Sequence, residues 1–207
     1  KRDYEYLSRA WETIRDETMK SVAPALIYEE SSLVKRAIRD LYDKDVDEIH
    51  VDGEAAYKEA KDFVRMLMPS HAKRVHLWKD ATPIFAKHGV EKQLESIYSP
   101  IVDLKSGGYI VINQAEALVA IDVNSGKFTS AGDAEQTAYR TNLEAIPEIV
   151  RQLRLRDLGG IICNDFIDML AASHRSEVES TLKRELRKDR ARTKIARMSP
   201  FGVMEMT

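Results

Sequence analysis

The sequence predicts an α/β fold (mixed α+β) built in two parts that meet near Pro100. Three observations predict it. A chain of 207 residues, 43% of them hydrophobic, can bury one large core or two modest ones. Its first half alternates short extended patterns with stretches whose apolar residues recur at helical spacing, the layout of an α/β domain. After Pro100 a run of strand patterns comes first, followed by long helical segments.

The elements follow in order. "KRDYEYLSRAWETIRDE" reads as a charged amphipathic helix rather than a signal peptide. "ALIYEE" (25–30), "EIHVDG" (48–53) and "RVHLWKD" (74–80) read as strands. Between them "SSLVKRAIRDLYDK" and "EAAYKEAKDFVRML" read as helices, the first with Ser31 or Ser32 as N-cap. "TPIFAKHGVEKQLESIYS" is expected to form one further helix, with Pro83 in its first turn. Past Pro100, "IVDLKSGGYIVINQAEALVAIDVNSG" is a set of strands, with Gly107-Gly108 turning between the first two. A long helix is expected from about Asp133 to Asp157, kinked or broken at Pro147. "LGGIICNDFIDM" (158–169) reads as a strand, "SHRSEVESTLKRELRKDRAR" as a charged helix and "TKIARMSPFGVMEM" as a last extended segment. There is no internal repeat.

Charge and composition narrow the function. Lys and Arg number 32 against 34 Asp and Glu, a formal net charge of -2, so bulk charge draws the chain to neither nucleic acid nor membrane. The single Cys163 allows no internal disulfide and no Cys-rich zinc cluster, which suits a reducing cytoplasm. No apolar run has the length of a membrane span. The five histidines show no HExxH spacing, which argues against a zinc site or a His-based triad, and His50 and His76 read as structural residues within strands. The abrupt start and end suggest a piece of something longer.

The chemistry is expected at two strand ends. Alternation along "ALVAIDVNSG" puts Asp122 and Asn124 on one face, just before Ser125 and Gly126 turn the chain. "CNDFIDM" ends a second apolar strand with Asp165; Asp168, at an odd spacing from it, ranks lower. If the two strands are neighbours, Asp122 and Asp165 repel unless a cation lies between them, and Mg²⁺ with retained waters suits such oxygen donors. Turn or cap formation explains "DVNSG" equally well on pattern alone. Basic residues concentrate at Arg151, Arg154 and Arg156, and again at Lys183, Arg184, Arg187, Lys188, Arg190, Arg192 and Lys194. Glu177, Glu179, Glu185 and Asp189 interleave the second group as a solvated helix face would. Arg192, past the helix end, is favoured for RNA.

"AIDVNSG", "TNLEA", "RQLRLRDLGG" and "DFIDM", followed by "RKDRAR" and "FGVMEM", closely resemble the catalytic core of the bacterial ribonuclease E/G family. The first half resembles it more loosely, through "LVKRAIRDLY" and "DEIHVD". The resemblance implies a cytoplasmic, Mg²⁺-dependent endoribonuclease that cleaves single-stranded RNA in RNA processing and mRNA decay. Asp122 and Asp165 match the family's metal-binding catalytic aspartates, Asn124 its asparagine that orients the attacking water or scissile phosphate, and Arg192 a basic residue of its RNA-binding surface. Lys127 and Arg190 are expected to contact RNA as well. Attack by water implies a 5′-phosphate and a 3′-hydroxyl as products. The implied fold is the end of a 5′-sensing region with its connecting helix (1–30), a ribonuclease H-like subdomain (31–98) and a DNase I-like catalytic subdomain (99–207).

The family's S1 domain, its Arg-Thr pair for a 5′-monophosphate and the paired cysteines that share Zn²⁺ between subunits of its homo-oligomers have no counterpart in these residues. The same holds for regions that join RNA-degradation complexes. Asn164 stands where an apolar residue is expected. Two rival functions remain open: a non-catalytic RNA-binding scaffold fragment, and a metal phosphodiesterase acting on DNA or a small phosphate ester.

Overall fold

The computed structural model describes residues 2–29, 32–43, 45–128 and 133–207. It divides into two compact units, Lys1–Val90 and Glu91–Thr207.

In the first unit the helical spacing of the sequence becomes α1 (Arg2–Lys20), α2 (Leu33–Leu41) and α3 (Glu54–Leu67). Ser32 Oγ caps α2 by accepting from Lys35 N at 3.5 Å; Ser31 lies outside the described residues. Two short strands, β1 (Ile49–Val51) and β2 (Val75–Leu77), pair in parallel with Ile49 opposite Val75. Parallel neighbours need a crossover, and α3 with the 3₁₀ turn Pro69–Arg74 supplies it. Ala60, Phe63, Val64 and Leu67 recur at helical spacing along α3 and are buried against Tyr6, Ile38, Tyr42 and Val75.

Two expectations for the first 100 residues fail. Residues 25–29 form no strand, and Glu30 lies outside the described residues. Leu26 is 80% exposed, and β1 and β2 pair only with each other, so the apolar pattern at 25–29 has no sheet to join. The helix expected from Pro83 onward is two, α4 (Ile84–Lys87) and α5 (Val90–Ser96). Gly89 separates them at φ 66°, a left-handed conformation that ends a helix. Pro83 sits just before α4, as its N-cap.

The second unit is a five-stranded sheet with two long helices packed on it, together with most of α5. The strands are β3 (Ile101–Asp103), β4 (Tyr109–Gln114), β5 (Val119–Asn124), β6 (Ile162–Asp165) and β7 (Val203–Met206), adjacent in that order. All neighbours are antiparallel except β5 and β6, which the long helix α6 (Ala134–Leu155) links in parallel. Asp133 caps α6, and the helix runs on across Pro147 without a break. Alternation sorts the sheet into two faces. Ile110, Ile112, Val119, Ile121, Val123, Ile162, Met204 and Met206 join the core with α6 and α7 (Ala172–Leu186). The other face carries Asp122, Asn124, Cys163 and Asp165.

Most of α5 belongs with the second unit, because α5 and the loop after it are tied to α6. Arg156 donates to the carbonyls of Ser96 (3.3 Å) and Ser99 (2.8 Å), and Arg151 to Gln93 Oε1 at 3.2 Å. Glu148 holds Arg151 in place at 2.7 Å. Burial pushes the Glu148 carboxyl up, but hydrogen bonds from Arg151 and Gln152 and the charges of Arg151 and Arg156 outweigh it and leave it below its ordinary value. That stabilisation is present above the ordinary carboxyl range and is lost as pH falls through the depressed value. After screening it amounts to roughly 0.5–1 kcal/mol. Glu148→Gln should therefore be less stable than wild type at pH 7 and equal to it near pH 2, as read by urea denaturation at both.

Asn164 is fully buried within the core face of β6. Its Nδ2 donates to Met204 O at a long 3.3 Å, and its Oδ1 has no partner. A buried unsatisfied acceptor costs about 1–3 kcal/mol, so Asn164→Leu, similar in volume, should stabilise the protein by about 1 kcal/mol. A higher urea midpoint at unchanged slope would show it; a lower one would mean that the Met204 bond outweighs the orphaned oxygen.

Candidate metal centre

Register brings the two aspartates together. In the parallel pair β5 and β6, Asp122 is the direct partner of Asp165. Neighbouring strands lie about 4.8 Å apart and partners project to the same face, so the carboxylates stand side by side. Both occupy the carboxyl ends of their strands, where open sheets present ligands. Asn124, next on the same face of β5, donates from Nδ2 to Asp122 Oδ2 at 2.9 Å and fixes that carboxylate's orientation.

The chain leaves both strands through tight turns. After Asn124, Phe128 N donates to Ser125 O at 2.9 Å, and Gly126 takes φ 55°. A Cβ on Gly126 would lie 2.5 Å from Gly107 O, so the backbone of the β3–β4 turn leaves no room for any other residue. The β6 strand stops at Asp165, where Phe166 N reaches Gly202 O at 3.3 Å. A Cβ at Gly202 would meet Phe166 O at 2.9 Å and Asp168 Oδ1 at 3.3 Å, so the loop before β7 presses directly on the segment carrying Asp168.

The Asp165 carboxyl is pushed above its ordinary value by burial first, then by the charge of Asp122, then by that of Asp168. Asp168 thus contributes to this electrostatic environment. The parity that ranked it lower does not reach it, because the regular strand ends at Asp165. No group of three or more His, Cys, Asp or Glu side chains able to hold a metal occurs among the described residues. The donor chemistry at Asp122 and Asp165 is two hard oxygen ligands that repel each other without a cation. This fits Mg²⁺, which keeps several waters and takes one or two carboxylates.

Residues 1–207 match the Ribonuclease E/G family. The chain belongs to that family. It is 45% identical over 205 residues to Ribonuclease E of Haemophilus influenzae, covering 99% of this chain and 22% of that protein. To Ribonuclease E of Escherichia coli it is 43% identical over 206 residues, covering 99% and 19% respectively. To Ribonuclease G of Salmonella typhimurium it is 38% identical over 205 residues, covering 99% and 42%. The chain spans from 19% to 50% of the length of the curated relatives it matches.

For this ribonuclease E/G family member the structure separates these basic residues into four groups. Lys127 follows the Gly126 turn at the same strand end as Asp122 and is exposed. Arg190 and Arg192, also exposed, precede the segment in which Ile195 bridges Met206, itself the partner of Ile162. That level is the amino end of β6, roughly 10 Å along the strand from Asp165. Arg151 and Arg156 serve the α5 contacts described above, and Lys183 and Lys188 pair with Glu179 and Glu185, as a solvated helix face does. His50 and His76, in β1 and β2, are exposed; their rings stack at 5.6 Å and His50 Nε2 lies 2.8 Å from Glu48 Oε2. No described helix is long and apolar enough to cross a membrane.

Proposed function

We propose that this chain is the catalytic core of a Mg²⁺-dependent endoribonuclease that cleaves single-stranded RNA in RNA processing and mRNA decay. The observation that carries the proposal is the register pairing of Asp122 with Asp165 at two parallel strand ends. Bound there, Mg²⁺ supplies an acidified water and positive charge against the phosphate. Asp122 and Asp165 hold the ion, and Asn124 sets the direction of the Asp122 oxygens. Lys127 meets the RNA backbone beside the scissile phosphate, while Arg190 and Arg192 meet it farther along the strand. Family membership supports RNA as the substrate, and the same reading includes a bacterial cytoplasmic location and homo-oligomers that share Zn²⁺ through cysteines outside these residues. Residues 31–98 serve as a ribonuclease H-like subdomain and 99–207 as a DNase I-like one.

Incubating 5′-monophosphorylated single-stranded RNA with the protein, with and without Mg²⁺, tests the proposal. Wild type should cut only with Mg²⁺, leaving 5′-phosphate and 3′-hydroxyl ends, while Asp122→Asn and Asp165→Asn should not. Equal cleavage by all three would sink the metal mechanism. Binding without cleavage would favour a scaffold role, and preference for DNA a different phosphodiesterase.

A further inference from the structure

The segment 166–171 carries Asp168 and leads directly from Asp165, yet it has no strand neighbour to hold it. Phe166 N bonds Gly202 O, Arg175 of α7 donates to the carbonyls of Met169 and Leu170, and the backbone groups of Ile167 and the amides of Leu170 and Ala171 are held by side chains of α6. Asn142, fully buried, donates from Nδ2 to Ile167 O at 2.8 Å and accepts from Ile167 N at 3.0 Å, so one amide fixes both polar groups of one residue. Two turns earlier, Glu135 Oε2 accepts from Leu170 N at 2.7 Å and Oε1 from Ala171 N at 3.2 Å. The same Oε1 accepts from His174 Nδ1 at 2.6 Å. The N-cap of α7, Ala171, has no capping side chain, and the Glu135 carboxylate stands just before that helix's first turn, where negative charge is favourable. Those hydrogen bonds hold the Glu135 carboxyl below its ordinary range. Phe166 and Met169 pack into the core, whereas Leu170 is 89% exposed and its amide depends on the Glu135 carboxylate.

We propose that Glu135 and Asn142 are positioning residues for the carboxylate site: from one face of α6 they clamp segment 166–171 at both ends and so set Asp165 and Asp168 against Asp122. This rests on the reading of Asp122 and Asp165 as ion ligands. Residues that orient metal ligands typically govern 10–100-fold of affinity or activity.

The test uses Glu135→Gln, which keeps the size but loses the charge, and Asn142→Ala, each compared with wild type in three measurements. Amide exchange at Leu170 and Ala171 in Glu135→Gln, and at Ile167 in Asn142→Ala, should quicken by about tenfold or more. Mn²⁺ affinity, measured by calorimetry on the protein alone, should weaken about tenfold, and kcat on single-stranded RNA should fall about tenfold at unchanged KM. If exchange quickens or the unfolding temperature drops while Mn²⁺ affinity and kcat stay at wild-type values, the clamp is structural only and the proposal is overturned. If wild type itself binds no Mn²⁺, the ion-site reading falls, and this proposal with it. Should Asn142→Ala fail to fold, Glu135→Gln decides alone.

Discussion

Asp165→Asn should stabilise the ion-free protein and destroy its response to Mg²⁺. The Asp165 carboxyl is held above its ordinary value, so its charged form is disfavoured in the folded state. A group raised in this way contributes stability that is complete below the ordinary carboxyl value and is lost as pH rises through the raised one. At pH 7 wild type therefore carries the repulsion and Asp165→Asn does not, a gain that solvent screening at this exposed residue holds to roughly 0.5 kcal/mol; near pH 2 the two should coincide. Adding Mg²⁺ reverses the order. At 100 times its dissociation constant the ion stabilises wild type by about 2.7 kcal/mol and the variant by far less. Thermal unfolding at both pH values, with and without the ion, reads every part of this. The cleavage rate should fall on the order of a thousandfold, about 4 kcal/mol at the transition state. A variant less stable than wild type without Mg²⁺ at pH 7 would show that Asp165 is an ordinary structural carboxylate.

The second large effect is expected at Gly126. An alanine there would adopt a left-handed φ of 55° and place its Cβ 2.5 Å from Gly107 O. The conformation costs about 1 kcal/mol, and a contact that close forces one of two backbones to move. A loss of about 2–3 kcal/mol follows, roughly 10 °C in unfolding temperature. Because Asn124 and Lys127 flank this turn, the shift should also lower RNA cleavage measured well below the unfolding temperature. Gly159→Ala is the control: no atom lies within 4 Å of its Cβ and φ is ordinary, so stability should change by no more than about 0.5 kcal/mol. Equal behaviour of the two variants would remove the steric account.

The centre of the site is legible in the sequence because strand alternation is a strict geometric rule. Parity puts Asn124 on the Asp122 side, and the register then places Asp165 opposite Asp122. Parity fails where regular structure stops. Asp168 lies beyond the end of β6, so spacing from Asp165 carries no information about it. Long-range partnership is also invisible locally: residues 25–29 have a strand's composition but form no strand, and the concentration of basic residues at Arg151 and Arg156 gives no sign of the α5 contacts those side chains make. Glu135 and Asn142 carry no local signal, because their partners are distant backbone groups rather than side chains. Asn164 is legible only as an oddity, a polar residue at a core-parity position, and it is indeed buried there.

The lone parallel pairing in the sheet has a temporal consequence. Antiparallel neighbours such as β4 and β5 join through a short turn, whereas β5 and β6 meet only once the whole α6 crossover has been made. At translation speeds of about 5–20 residues per second, Asp165 leaves the ribosome seconds after Asp122. Until β6 has emerged and paired, Asp122 therefore has no register partner, and the two carboxylates cannot yet stand side by side. The carboxylate pair is thus among the last features of this sheet to form, after the turn-linked strands β3, β4 and β5 are in place.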